Sequence, residues 1–380
     1  MSILIVGSHP NNSNGYSKVI YNLCRNISEN VYIYGCQKSS IDHNRILPEN
    51  IKILDVSRIE KWNEIDEFGF NFRDIGLYVD IIKPKTIIIY NDAYVCNKFL
   101  ESIIRFNELC SFDFKMKIVL YLDLVYPYIK QCYVSLFNEY VESIMVYHDY
   151  WKLFLEQRGI QCKINVLSHV YESKYIQNES DNKHMCLLNL NRNTLRKRLD
   201  ITIRAYVYAL KRTNINMKLY IKEPQEFDAW DIIEIFNNEM KTNNIDKYVV
   251  FLKNDLSEQE ITSLYEYCDI GINTCEGEGF GLCNYEHAYH GKPQIMPNFP
   301  QFSGLYPEGS IYYIEPKHEY YIENRDANGG LAKVVDYQDV GEAILKLSST
   351  DVYNTYTKNL NNFKKKSYKE TSELFMNYIK

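Results

Sequence analysis

Along most of the chain, apolar runs of four to six residues alternate with longer stretches of helical spacing, the pattern of βα units laid into parallel sheet. In the first half the runs are Ile3–Val6, Val31–Tyr34, Ile51–Leu54, Thr86–Tyr90, Lys117–Leu122 and Ser143–Val146, with helices expected at Tyr16–Ser28, Arg73–Ile82, Ala93–Phe106 and Tyr150–Gly159. The second half repeats the rhythm at Cys186–Leu190, Met217–Ile221, Tyr248–Leu252, Asp269–Asn273, Gln294–Met296 and Ile311–Ile314. Its helices are expected near Leu199–Lys211, Asp231–Lys241, Glu258–Tyr267 and Asn284–His290. Each half supplies one doubly wound domain, so the fold class is α/β with two Rossmann-like domains. The polar stretch from Ser168 to Lys183, with its NESDNK run, lacks apolar periodicity and marks the boundary. We expect residues 1–170 to form the first domain, 171–360 the second, and 361–380 a closing segment. From Gly341 onward the pattern reads as two or three helices, with the basic run Lys364 to Lys366 as a solvated turn. Open α/β sheets bind ligands beyond the carboxyl ends of their strands, which directs function to a cleft between the domains.

A chain of 380 residues matches two domains. With 46% hydrophobic and 24% charged residues it is an ordinary globular protein, and its net charge of -6 argues against nucleic acid as a partner. Tyrosine at 34 residues is high, which AT-rich codon usage accounts for most simply. The 10 cysteines are scattered singly without a metal or redox spacing, so reduced thiols and a cytoplasmic location are expected. The most apolar later stretch, Ile118 to Tyr126, is interrupted by Asp123 and falls short of the ~18 residues of a membrane span. No transmembrane segment is expected, and any membrane contact would be peripheral.

The most informative segment runs from Gly271 to Pro293. A strand ends near Asn273, a loop follows through Gly277, Gly279 and Gly281, and a helix begins close to Leu282. Glycines allow close backbone approach, and the free N–H groups of a helix start favour an anion. Glu276 and Glu278 in the loop and Glu286 on the helix would repel phosphate but accept hydrogen bonds from sugar hydroxyls. A sugar joined to a phosphate satisfies both tendencies, while a plain glycine turn is the simpler alternative.

The string Glu278, Gly279, Phe280, Gly281, Leu282, with Glu286 eight positions after Glu278 and then Ala288, Gly291 and Pro293, resembles the Glu, seven residues, Glu signature of retaining glycosyltransferases of family four. At the start of the second half, Arg192 after a strand and Lys197 just before a helix resemble the family's pair that clamps the donor diphosphate. Guanidinium and ammonium suit that group. A solvated basic helix start is the alternative. The wording from Arg192 to Asp200 is also similar to enzymes encoded by large DNA viruses. Gly15, after the first strand, occupies the place of the family's glycine pair, with Tyr16 where the second glycine would stand and where its bulk or hydroxyl would bring this loop to the acceptor; an ordinary βα turn capped by Ser17 or Asn14 is the alternative. Where the family commonly carries a histidine at the end of a central strand, this chain has Asp123, which accepts a hydroxyl bond but lacks histidine's chemistry. Phe251 to Asp255, with Leu252, match the place where the family's backbone holds the nucleobase, and Ser367 to Phe375 resembles its closing helix, which packs back on the first domain.

The resemblance implies a GT-B enzyme that transfers a sugar with retention from a nucleoside diphosphate sugar, GDP-mannose first, to an acceptor hydroxyl on a glycan or glycoconjugate. Asp123, Glu278, Arg192 and Lys197 would be catalytic. Gly15, Leu252, the backbone from Gly279 to Leu282, and Glu286 would complete the donor site. Neither metal nor cofactor is implied. His287 and His290 read as a packed or solvated pair in preference to metal ligands, His169 as structural, and His9 as a residue that could reach the cleft. A sugar-nucleotide epimerase of the same architecture and a non-catalytic nucleotide-sugar-binding protein are the alternatives.

Overall fold

The computed structural model describes residues 2–38, 45–64, 66–173, 184–222, 230–253, 255–322, 329–363 and 366–380. The NESDNK run and Lys364 and Lys365 lie outside the described residues. Two compact units appear, one holding the chain up to Val170 and again from Lys366 to Lys380, the other holding Tyr171–Ile322 and the stretch that begins at Leu331.

In the first unit β1 (Ser2–Ser8), β2 (Asn30–Cys36), β3 (Ile51–Asp55), β4 (Thr86–Asp92), β5 (Lys117–Asp123), β6 (Ser143–Val146) and β7 (Lys163–Val166) form a parallel sheet in the order β3-β2-β1-β4-β5-β6-β7. Its helices are α1 (Gly15–Cys24), α2 (Val56–Trp62), α3 (Ile75–Ile82), α4 (Ala93–Cys110), α5 (Gln131–Tyr140) and α6 (Asp149–Gln157). Ile3 to Val6 and Ile87 to Ile89 are buried throughout, because a parallel strand covered on both faces has no polar side to alternate with. The strand order reverses between β1 and β4, and the carboxyl ends at such a switch point are where open α/β sheets generally take ligands. Three elements were not expected from the pattern: α2, α5 and β7. In α5 aromatic and β-branched residues blur the helical stripe, and β7 is a four-residue edge strand, too short for a periodic signal.

In the second unit β8 (Met185–Asn189), β9 (Met217–Lys222), β10 (Val249–Leu252), β11 (Ile270–Ile272), β12 (Gln294–Pro297) and β13 (Ile311–Ile314) form a parallel sheet in the order β10-β9-β8-β11-β12-β13. A further pair, β14 (His318–Ile322) and β15 (Gly330–Val334), stands apart from it. The helices are α7 (Leu199–Leu210), α8 (Ile232–Met240), α9 (Glu258–Tyr267), α10 (Leu282–Tyr289), α11 (Tyr337–Leu347) and α12 (Thr350–Leu360). Leu187 joins one core with Ile203, Leu219, Ile270, Ile295 and Ile344, while its neighbours Cys186 and Leu188 join a second core with Tyr265. Successive strand residues thus face opposite helical layers, which is what a doubly wound sheet requires. The order reverses between β8 and β11.

The chain ends in α13 (Tyr368–Ile379), which belongs to the first unit and packs on α1. Ser372 donates its hydroxyl to Leu23 O at 2.9 Å and Tyr378 to Val166 O at 3.2 Å. No helix among the described residues is long and apolar enough to cross a membrane.

Candidate functional site

Two clusters of polar side chains gather at the switch points, one in each unit. In the second unit, β8 leads into a turn of 3-10 helix, Leu195–Lys197, and Arg198 then takes a left-handed φ of 50° before α7 begins. Two of the three consecutive cations here converge on Glu278, and the third turns to Asp200 and Glu276. Lys197 Nζ bonds Glu278 Oε2 directly. Arg196 Nη1 donates to Gly277 O at 2.8 Å and lies 3.5 Å from Glu278 Oε1. Arg198 grips Asp200 through Nε at 2.9 Å and Nη2 at 2.8 Å, and its Nη1 is 3.6 Å from Glu276 Oε2, which also accepts the Tyr320 hydroxyl at 2.5 Å.

Glu278 is 7% exposed. Burial raises the proton affinity of its carboxyl, but Lys197 and Arg196 outweigh burial and hold the pKa down to about 2. The loop that carries it is fastened from several sides: Gln301 Nε2 donates to Glu278 O at 2.7 Å, and the Glu276 amide donates to Arg196 O at 3.0 Å. Beneath it, Asn189, Thr202 and Thr274 form a buried relay, with Asn189 Nδ2 donating to Thr202 at 2.9 Å and the two threonine hydroxyls 2.6 Å apart. The loop ends at Gly281, whose φ of 76° suits glycine and which caps α10 without any side-chain hydrogen bond. The first-turn amides of α10 are therefore uncapped by a side chain and carry the positive end of the helix dipole. Four residues into α10, the buried Glu286 accepts the Tyr265 hydroxyl at 3.1 Å.

Arg192 is not part of the Glu278 cluster. Its side chain is exposed after β8, and the charge it acts on is Lys222, at the end of β9. Burial first, with Arg192 adding to it, lowers the proton affinity of Lys222, while Cys283 and Asp255 act the other way. Leu252, at the end of β10, lines a cavity of about 560 Å3 with Leu256, Ser257, Glu260, Leu264 and Tyr267.

In the first unit the carboxyl ends of four neighbouring strands each contribute one polar side chain. Tyr16 follows β1, Asp92 ends β4, Asp123 ends β5, and Tyr147 follows β6. Tyr16 donates to Asp123 Oδ2 at 2.6 Å, and Tyr147 bonds Asp123 Oδ1. The Tyr147 oxygen also accepts the Leu124 amide at 2.9 Å. Asp92, opposite Asp123 in the sheet register, accepts the Val95 amide at 2.9 Å and caps α4. Burial first, then the Asp123 and Asp92 carboxylates, push the Tyr16 phenol well above its usual range, so it stays a donor. Gly15 begins α1, and its predecessor Asn14 caps the helix by accepting the Ser17 amide at 2.9 Å.

No family model matches the chain, and no curated protein matches it in sequence. Solved structures do. Anabaena HepE in complex with UDP and glucose aligns with 100% of this chain and 99% of that one at a TM-score of 0.72 and 11% identity. Sucrose-phosphate synthase from Thermosynechococcus elongatus aligns with 100% of this chain and 98% of that one at 0.69 and 10% identity. Trehalose-6-phosphate synthase, in a structure concerned with glycosyltransfer with retention, aligns with 99% of this chain and 98% of that one at 0.66 and 11% identity. The fold is GT-B.

In this GT-B chain Lys197, Glu278 and the Gly279 to Leu282 turn come together as one cluster, with Glu286 in the following helix. Phe280 is buried and packs its ring 5.0 Å from that of Tyr285, a role in seating the loop. Arg196, Arg198, Lys222 and Tyr147 were not singled out from the sequence, and a strand-end position was the only signal for Lys222; Tyr16 was singled out, as the residue in place of the family's second glycine. The histidines singled out in the sequence are interior: His169 and His287 are driven by burial to a pKa of about 3, and the buried His290 contacts the Tyr171 hydroxyl at 3.2 Å. His9 is likewise buried, its ring accepting the Asn11 amide at 3.2 Å.

Proposed function

We propose that this protein is a retaining glycosyltransferase that moves a sugar from a nucleoside diphosphate donor to an acceptor hydroxyl on a glycan or glycoconjugate, with no metal ion or cofactor. One observation carries this reading: Lys197 and Arg196 meet Glu278 at the switch point of the second sheet, immediately before the uncapped start of α10. Cations and helix-start amides suit a diphosphate, and the carboxylates beside them suit hydroxyls. HepE with UDP and glucose, on the same fold, supports a nucleotide-sugar ligand.

In the transfer the bond from the anomeric carbon to the phosphate oxygen breaks, and a bond from the acceptor oxygen to that carbon forms on the same face. The acceptor proton passes to the departing phosphate oxygen. Lys197, with Arg192, Arg196 and the amides around Leu282, neutralises the charge that grows on the diphosphate. Glu286 receives ribose hydroxyls, Glu278 receives hydroxyls of the transferred sugar, and the backbone around Leu252 receives the base.

The test is a thermal-shift panel of GDP, GDP-mannose, UDP and UDP-glucose with and without EDTA, followed by assay of sugar released from each donor that binds. GDP-mannose is favoured by the likeness to the viral enzymes, and UDP-glucose by the ligand of HepE. Stabilisation by one base with slow, EDTA-insensitive release of free sugar is the expected result, and Lys197→Ala should remove most of the release while leaving the fold intact. Silence toward every nucleotide sinks the reading. Conversion of the donor to an epimer without release points to an epimerase.

A further inference from the structure

Asp123 is a half-buried carboxylate at the ligand-binding edge of the first sheet, and among the described residues its hydrogen bonds come from two phenols. It forms no ion pair there. A carboxylate removed from water without a cation is costly, and a purely structural position would be filled more cheaply by an apolar or amide side chain. The two phenols arrive from opposite sides, Tyr16 from the first turn of α1, the helix that follows β1, and Tyr147 from the turn after β6, with β4 and β5 between them. Each is itself fixed. The Tyr16 ring packs 5.1 Å from Tyr90, and the fully buried Tyr147 ring packs 5.1 Å from His169 while its oxygen is bound by the Leu124 amide. Both bonds to Asp123 are therefore set by groups that cannot swing away.

We infer that Tyr16 and Tyr147 are positioning residues that clamp one oxygen each of Asp123, so that its remaining lone pairs are presented to a hydroxyl of the sugar acceptor. This rests on the glycosyl-transfer reading. A carboxylate has about four lone-pair sites, and two phenols use two of them. A clamp made of cations would neutralise the carboxylate and occupy it more fully; phenols hold its direction and leave it an acceptor. The neighbouring Asp92 carboxylate, tied by its bond to the Val95 amide, adds negative potential at the same edge, which favours a hydroxyl donor over a phosphate or carboxylate on the acceptor.

The experiment compares Tyr16→Phe, Asp123→Asn and the double variant for transfer from the donor found in the panel above. Nucleotide affinity and thermal midpoint are measured alongside. Loss of a hydrogen bond to a charged group predicts a drop in transfer of about tenfold or more for Tyr16→Phe, with nucleotide affinity unchanged. The double variant should be no slower than Asp123→Asn alone, because the phenol acts only through the carboxylate. Transfer by Tyr16→Phe at the parent rate, or losses that multiply in the double variant, overturns the inference. A parent protein that binds no nucleotide and releases no sugar instead removes the functional reading beneath it.

Discussion

At Glu278 two opposed forces act on one carboxyl: burial favours the neutral acid, and Lys197 and Arg196 favour the anion and win, bringing the pKa from 4.5 to about 2. A group depressed in the folded state contributes stability above its unfolded pKa and loses it as pH falls through the folded value. We therefore expect the thermal midpoint to fall between about pH 5 and pH 2, with the Glu278 share of that fall absent in Glu278→Gln. Scanning fluorimetry of both proteins across that range checks it; parallel curves would show that the ion pair contributes nothing. The residue scale is also where the sequence was partly opaque. Glu278 and Glu286 were legible because one motif fixes their spacing, and Lys197 because a second resemblance places it before a helix. Arg196 was not, since in the run from Arg196 to Arg198 the direction of each side chain depends on a 3-10 turn and a left-handed residue that no periodicity announces.

Among the elements, the Gly281 turn decides how α10 starts. An added methyl there would sit 3.5 Å from the Phe302 ring and 3.6 Å from Glu278 Cγ, which is ordinary contact, so the difficulty lies in the backbone at a φ of 76°. Gly281→Ala should cost about 1 to 2 kcal/mol by forcing a side chain into the left-handed region, and should weaken nucleotide binding through the displaced amides. Calorimetric unfolding and nucleotide titration of the variant measure the two effects. A second local device escaped sequence reading entirely. Glu60, buried in α2, accepts the amides of Glu67, Gly69 and Asn71, each at 2.8 Å, and so pins a loop containing Phe68, Gly69 and Asn71 at positive φ. A single glutamate in a polar segment looks like solvent-facing charge, and only the fold reveals that three backbone donors depend on it.

On the scale of the whole molecule, the order of apolar runs was enough to give two doubly wound sheets, because buried parallel strands leave an uninterrupted apolar signature. The route of the chain's end was legible only through resemblance. Ser367 caps α13 with a reciprocal bond to Glu370, and the helix buries Phe375, Met376 and Ile379 in the unit where the chain began. Deleting Ser367–Lys380 should therefore destabilise the first unit selectively, baring the α1 surface while the second unit retains its own cores. Limited proteolysis with fragment mapping tests this: early cuts confined to the first unit are expected, and equal resistance to the parent would refute the dependence.

The bond between Lys197 and Glu278 gives the proposed donor seat the character of an ion exchanger. Its lysine is already neutralised by the protein's own carboxylate, so on the proposed reading an arriving diphosphate would trade places with Glu278 at the ammonium group instead of filling a bare charge. The displaced carboxylate would be released at the moment a sugar arrives to use it, which would couple phosphate capture to hydroxyl recognition in one swap. Glu278→Gln should thus bind the plain nucleoside diphosphate more tightly than the parent while transferring poorly, because the internal competitor is gone along with the sugar's partner. Isothermal titration with the nucleotide alone distinguishes this exchange from simple capture, in which the substitution would leave affinity unchanged.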